Sequence, residues 1–225
     1  MAIIRDCVMY IFTKVSQILL KLSNSNQNLR IESYSSYEKP FGITFGQWTV
    51  RWWQWLLSCP APVNPASDMV GTNSSLNQHG QVWFLAGTFG EHCTPQRACT
   101  IPNDKSILFP IINYELNFLE HPEFTTESEL ITHVKKDEDD ITNIVAKIDG
   151  KKLDACRIQS DPKIFYADLP AKNCLELPSR RIKIASDGYW VFLKPLSKGV
   201  HNIFFHASCS GGSRKCTAFY NLTII

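Results

Sequence analysis

The sequence predicts a mainly β protein: an antiparallel β-sandwich, jelly-roll or immunoglobulin-like, carrying a tryptophan-rich amphipathic helix and a second short helix. Three observations predict it. Short runs of β-forming residues recur from residue 144 to the C-terminus, with glycine-marked turns between them. Two segments, Thr44 with Gln47 and Thr126 with Glu129, have the capping-box form that opens a helix. No repeat or shift of composition divides the chain after Tyr37, so residues 38–225 read as one domain behind an N-terminal segment, 1–37.

That N-terminal segment mixes apolar residues with Arg5, Asp6, Lys14 and Lys21 over residues 1–22. Its apolar stretch is short and lacks a clean cleavage site, so it reads as an amphipathic helix or a leader-like segment. A linker rich in Ser and Asn follows over residues 23–37. The first helix starts at Thr44 and ends near Leu57 or Ser58, because Pro60 and Pro62 cannot continue it. At about 100° per residue, Phe45, Trp48, Trp52, Trp55 and Leu56 form one stripe, Gln47, Arg51 and Gln54 the opposite side, and Trp53 a flank. The stripe is expected to fill a joint between helix and sheet, which leaves Trp53 free to meet a ligand.

Three prolines make residues 59–71 an irregular connection. The oxygens of Asn64, Asp68, Asn73 and Asn77 lack the spacing of a calcium loop. Residues 81–89 read as a buried strand, 93–99 as a tight loop, and 100–113 as a turn followed by an apolar strand in which Pro110 imposes an edge or a bulge. The second helix runs to about Asp140, and its acidic end opposes the helix dipole, so it should break near Asp139. Asp149-Gly150 is the dipeptide of a type I′ hairpin turn. Asp187-Gly188 and Lys198-Gly199 read as further turns between short strands.

Taken together, Phe45-Gly-Gln-Trp, Trp52-Trp-Gln-Trp55, Asn64-Pro, Gln78-His-Gly-Gln-Val-Trp-Phe-Leu-Ala-Gly-Thr88, Cys99-Thr-Ile-Pro102 and Phe109-Pro-Ile-Ile-Asn113 form an ordered pattern. It continues through Arg157-Ile-Gln-Ser160, Asp187-Gly-Tyr-Trp190, Leu193-Lys-Pro-Leu196, Gly199-Val-His201 and Tyr220-Asn-Leu-Thr223. This order resembles a family of uncharacterised bacterial and archaeal proteins, many of them with a recognisable leader. The resemblance implies a shared fold and no activity. The present chain departs from it in showing no clear leader and in having Cys156, Cys174, Cys209 and Cys216 as extra cysteines.

Eight cysteines are many for a chain of 225 residues. Their spacing suggests the disulfide candidates Cys93 with Cys99, Cys156 with Cys174, and Cys209 with Cys216, which would place the protein outside the cell or at its surface, and otherwise in the cytoplasm. Two sequons, Asn73-Ser-Ser and Asn221-Leu-Thr, point the same way. A net charge of +2 without a basic stripe argues against nucleic acid, and no apolar run is long enough for a transmembrane span.

Chemistry is sparse. Zinc spacing, a nucleophile elbow and phosphate-binding loops are missing, so no metal and no cofactor is expected. Asp187 with Glu115 or Glu91 offers a conceivable carboxylate pair for glycoside work. The expected function is a secreted or surface-associated, non-catalytic binding module for carbohydrate or a surface partner, with Trp53, Tyr189, Trp190, Asp68, His79 and His92 as binding candidates. The alternatives are a hydrolase built from the loops around Asp68, His79, Glu91 and His92, and a structural protein that self-assembles through its apolar helix.

Overall fold

The computed structural model describes residues 31–89 and 94–225. Residues 32–225 form one compact unit. The expected leader or helix over residues 1–22, and Cys7, Glu91, His92 and Cys93, lie outside the described residues.

Residues 32–225 are mainly β, with two α-helices among the described residues and two open, mixed sheets. The first helix, α1 (Phe45–Ser58), begins as the sequence predicts. The Thr44 hydroxyl accepts from the Gln47 N–H at 3.1 Å, and the Gln47 side chain accepts from the Thr44 N–H at 2.9 Å. The second, α2 (Glu127–Asp139), has the same reciprocal cap from Thr126 and Glu129. It stops at Asp139, where two arginines take its last carbonyls: Arg157 donates to Lys135 O and Arg214 to Asp137 O.

Sheet one runs β1 (Val82–Phe84), β3 (Ser106–Asn117), β8 (Arg181–Leu193) and β6 (Cys156–Arg157), with β7 (Ile164–Asp168) also paired to β8. Sheet two runs β2 (Gln96–Ile101), β10 (Lys215–Ile224), β9 (Gly199–Cys209), β4 (Ile141–Ile148) and β5 (Lys151–Lys152). Residues 32–34, expected in the linker, join sheet one: Ser33 bridges Leu193, and the Tyr34 N–H donates to Phe192 O.

Three expectations are corrected. The sheets are not purely antiparallel, because β1 with β3 and β2 with β10 pair in parallel. The strand between β1 and β3 in sequence is β2, which belongs to the other sheet, so the chain returns to sheet one running the same way. Residues 96–99, read as a tight loop, are therefore the start of a strand. Asp187-Gly188 is no turn: β8 passes straight through it. A Cβ on Gly188 would come within 2.6 Å of Asn113 Cβ, so glycine there serves the close approach of β3. The Asp187 carboxylate is turned inward onto Arg157 at 2.9 Å.

The cysteines are the third correction. Of those described, Cys59, Cys99, Cys156, Cys174 and Cys209 are free thiols. Cys216 is opposite Ala207 on β9, two residues before Cys209, so those two thiols are diagonal neighbours. Diagonal Cβ atoms lie up to about 7–8 Å apart, whereas a disulfide needs about 4 Å. Cys156 and Cys174 have different surroundings, the first beside Ser36 and Asp154, the second towards Cys59 and Glu115.

Packing follows in layers. One face of sheet one is covered by α1, whose four tryptophans join Phe84, Leu108, Ile184, Trp190 and Phe192 in a single cluster. The other face meets sheet two, where Phe109 of β3 stacks on Phe205 of β9 with ring centroids 5.3 Å apart. At the far end of β3 and β8, α2 packs Leu130 and Val134 against Leu116 and Ala185. All four helix tryptophans are buried, Trp53 included at 4% exposure.

Replacing Thr44 by alanine removes the cap oxygen and its bond to Asp161 Oδ2 at 2.9 Å, and should cost about 1 kcal/mol in urea unfolding. Titration with a thiol reagent under denaturing, non-reducing conditions should find at least the thiols of Cys59, Cys99, Cys156, Cys174 and Cys209; fewer would restore a disulfide.

Candidate functional site

The site grows from a fault in β3. Register against β8 shifts between Pro110 and Ile112, because proline cannot donate to the ladder and the strand bulges around it. A bulge inserts one residue and so reverses the inward–outward alternation. Leu108, before it, faces α1. Glu115, an odd number of residues further on, faces α1 too: it is opposite Ser186, whose hydroxyl accepts from Trp53 Nε1 at 2.6 Å. Without the bulge Glu115 would point to the other side.

Glu115 is 8% exposed, and Asn117 organises its surroundings. The Asn117 side-chain oxygen accepts from Leu119 N and Glu120 N at 3.0 and 3.1 Å, which folds the chain into a tight turn after β3. Its side-chain nitrogen donates to both oxygens of Glu115 at 3.3 Å and to Glu120 Oε2. One amide thus holds two carboxyl groups together. Burial, then the Glu120 charge beside it, pushes the Glu115 carboxyl up to about 8. At neutral pH Glu115 therefore keeps its proton and offers a hydrogen-bond donor beside the Glu120 side chain.

These groups border a cavity of about 360 Å³. Trp52, Trp53 and Leu56 of α1 form one wall, and Phe89 and Leu175 add apolar surface. Opposite are Asn113, Glu115, Glu120 and His121, with Arg214 and Cys216 from the β9–β10 hairpin. The Asn113 side-chain nitrogen is buried and has no hydrogen-bond partner among the described residues. Arg214 lies over the Tyr114 ring at 4.7 Å and pairs with the buried Glu138 at 3.4 Å. Gly87 fits because a Cβ there would sit 3.2 Å from Cys216 Sγ.

Of the residues singled out from sequence, Trp53 lines this cavity. Trp190 does not: it is fully buried with its ring 5.2 Å from Trp52. Tyr189, its neighbour on the same strand, points to the other face and lies under Arg157 at 5.9 Å, so the two rings share no platform. Asp68 is a loop organiser whose carboxylate accepts from the N–H groups of Val70, Gly71 and Asn73 at 2.9, 2.9 and 2.6 Å. Although partial burial raises it, these bonds lower its pKa overall. His79 is exposed on the rim of a separate trough of about 640 Å³, beside Arg51 and Gln54. Asp187, a suggested partner of Glu115, is committed to Arg157; the partner is Glu120 instead.

One further constellation resembles a hydrolytic triad. His201 Nδ1 lies 2.7 Å from Asp149 Oδ2, and its Nε2 lies 3.4 Å from Ser197 Oγ. The same Nε2 is 3.0 Å from the Ser197 carbonyl oxygen, which only an N–H can satisfy. It therefore has no lone pair to activate the serine, and the trio ties the β4–β5 turn to the start of β9. Among the described residues no group of three or more His, Cys, Asp or Glu is placed to hold a metal ion.

Sequence reasoning missed Glu120, Asn113 and Asn117. The available signal was a glutamate inside the otherwise apolar run Phe109-Pro-Ile-Ile-Asn-Tyr-Glu-Leu, where a buried charge needs partners.

Glu115 also predicts a pH dependence. Its folded pKa of about 8 exceeds its ordinary 4.5, so between these values the folded state holds a proton the unfolded state has lost. Stability should fall as pH rises through that window. Glu138, raised to about 8 chiefly by burial, acts in the same direction. Denaturant melts at several pH values should show a shallower fall for Glu115→Gln and the shallowest for Glu115→Gln with Glu138→Gln; an unchanged slope would refute the assignment.

Comparison with protein-family models, with curated proteins and with solved structures gives no match.

Proposed function

We propose that the protein is a binding module, secreted or surface-associated, that takes a small hydroxyl-rich ligand of carbohydrate type in the cavity over Glu115. One observation carries this reading: an aromatic wall faces the protonated Glu115, the Glu120 side chain and the Asn113 amide within one cavity. A sugar ring offers the complement. Its C–H face suits the Trp53 wall, and its hydroxyls both donate and accept, as Glu120 and Glu115 require. The export part of the proposal rests on the family resemblance and the two sequons, because Cys99, Cys156, Cys174 and Cys209 of the suggested pairs are free. The jelly-roll or immunoglobulin-like sandwich remains the finer reading of the two sheets that meet at Phe109 and Phe205.

A second reading is favoured by a specific observation. Glu115, which keeps its proton at neutral pH, could act as an acid beside the second carboxyl group that Asn117 holds, which suits hydrolysis at this cavity rather than at Asp68 or His79. Self-assembly through α1 has no such support, since the apolar stripe of the helix is buried. No helix among the described residues is long and apolar enough to cross a membrane.

Calorimetric titration with a panel of mono- and disaccharides tests the proposal. Glu120→Ala and Trp53→Ala should each weaken binding about tenfold or more, and Glu115→Gln, which keeps a donor, should weaken it less. Absence of any sugar binding at millimolar concentration would sink the proposal. Release of a reducing sugar by the wild type, lost in Glu115→Gln, would establish the hydrolytic reading.

A further inference from the structure

The outward face of sheet two carries a second site. Along β10 burial alternates strictly, so Thr217, Phe219, Asn221 and Thr223 point out. Gln96, Ala98 and Thr100 of β2, Asn202, Phe204 and His206 of β9, and Lys147 of β4 do the same. Register sets them in rows across the strands: Lys147, Phe204, Phe219 and Gln96 make one row, and Asn202, Asn221 and Ala98 the next. The Phe204 and Phe219 rings touch, with centroids 4.7 Å apart, and Phe219 is 42% exposed. They form a ridge in a trough of about 640 Å³ that crosses four strands.

Three features identify what fits there. First, hydrogen-bonding amides and hydroxyls flank exposed aromatic rings, and the strand spacing of about 4.8 Å is close to the length of one sugar in an extended chain. Second, the outward residues of these four strands include no aspartate or glutamate. Asp149, at the adjoining turn, has both oxygens engaged, by His201 Nδ1 and by the Asn202 N–H. Third, Lys147 and Lys152 stand directly opposite each other across the β4–β5 hairpin. Like charges so placed destabilise a sheet unless an anion lies against them. A nucleic acid would want cations along the whole trough, and here they gather at one end.

We propose that this face binds an acidic polysaccharide, a uronate-bearing chain lying across the strands. Its sugar rings rest on Phe204 and Phe219, and a carboxylate sits at Lys147 and Lys152. The site shares no residue with the Glu115 cavity and does not depend on it.

Affinity electrophoresis against polygalacturonate and alginate, with hydroxyethylcellulose and oligo-dT as comparisons, tests this at low and at physiological salt. The acidic polymers should bind, more weakly as salt rises. Phe219→Ala and Lys147→Gln should each lower affinity about tenfold, whereas Lys163→Gln, the same charge change in the bend before β7, should not. Should Phe219→Ala fail to fold, Lys147→Gln and the salt dependence decide alone. Equal binding of the neutral polymer, preference for oligo-dT, indifference to both variants, or a dimer in sedimentation that Phe219→Ala dissolves would each overturn the proposal. Binding of small sugars in the Glu115 cavity should be unaffected by either variant, so the two sites fail or stand separately.

Discussion

Everything else in this structure depends on how α1 disposes of four indole N–H groups. The helix is buried on most of its surface, so each polar tip must find a partner inside the protein or cost about 1–3 kcal/mol. Each finds one on a different segment: Trp48 on Pro40 O, Trp52 on Leu85 O, Trp53 on Ser186 Oγ and Trp55 on Leu76 O. The four bonds fix the loop before the helix, the chain after β1, the centre of β8 and the loop that precedes β1. A helix that looks like a hydrophobic plug is thus also a set of polar anchors. Trp190, the ring beneath Trp52, has no partner for its own N–H among the described residues and serves as a filler.

The cavity is a by-product of that arrangement. Trp53 reaches β8 because Ser186 is there to receive it, and Glu115 lies opposite Ser186 because the proline bulge has turned the strand over. Asn117 then spends its oxygen on a turn and its nitrogen on two carboxyl groups, so the position of Glu120 is set by the backbone and not by attraction between like charges. The outer face of sheet two arises differently, from a strict alternation with no bulge between Thr217 and Ile224.

Much of the local structure was legible in the sequence. Both capping boxes, the Asp149-Gly150 turn and the disturbance at Pro110 are signals carried within a few residues, and each is found. Glu115 was visible as a carboxylate out of place, but its partner was not, because the turn that brings Glu120 back is specified by one asparagine. The parallel pairings were hidden for a topological reason: nothing in residues 96–101 says that they cross to another sheet. The Asp187-Gly188 dipeptide misled because a glycine required by close packing looks the same as one required by a turn. Cysteine spacing misled in a similar way, since separation along the chain does not report whether two Cβ atoms face each other.

Arg97 carries a charge into the interior. It is 2% exposed, and its guanidinium donates to the carbonyls of Ala66, Asp68, Ala86 and Gly87 and to the Tyr220 hydroxyl. Those groups come from both sides of Arg97 in the chain, and Tyr220 from 123 residues away. A charged group held only by neutral oxygens gains little until nearly all of them are in place. Its burial should therefore come late in folding, after β10 has docked beside β2, and belong to the steps that separate a collapsed chain from the native one. Contacts that close so long a loop also slow folding. Arg97 then acts as a checkpoint of assembly, and weakening it would be felt first as faster unfolding rather than slower folding.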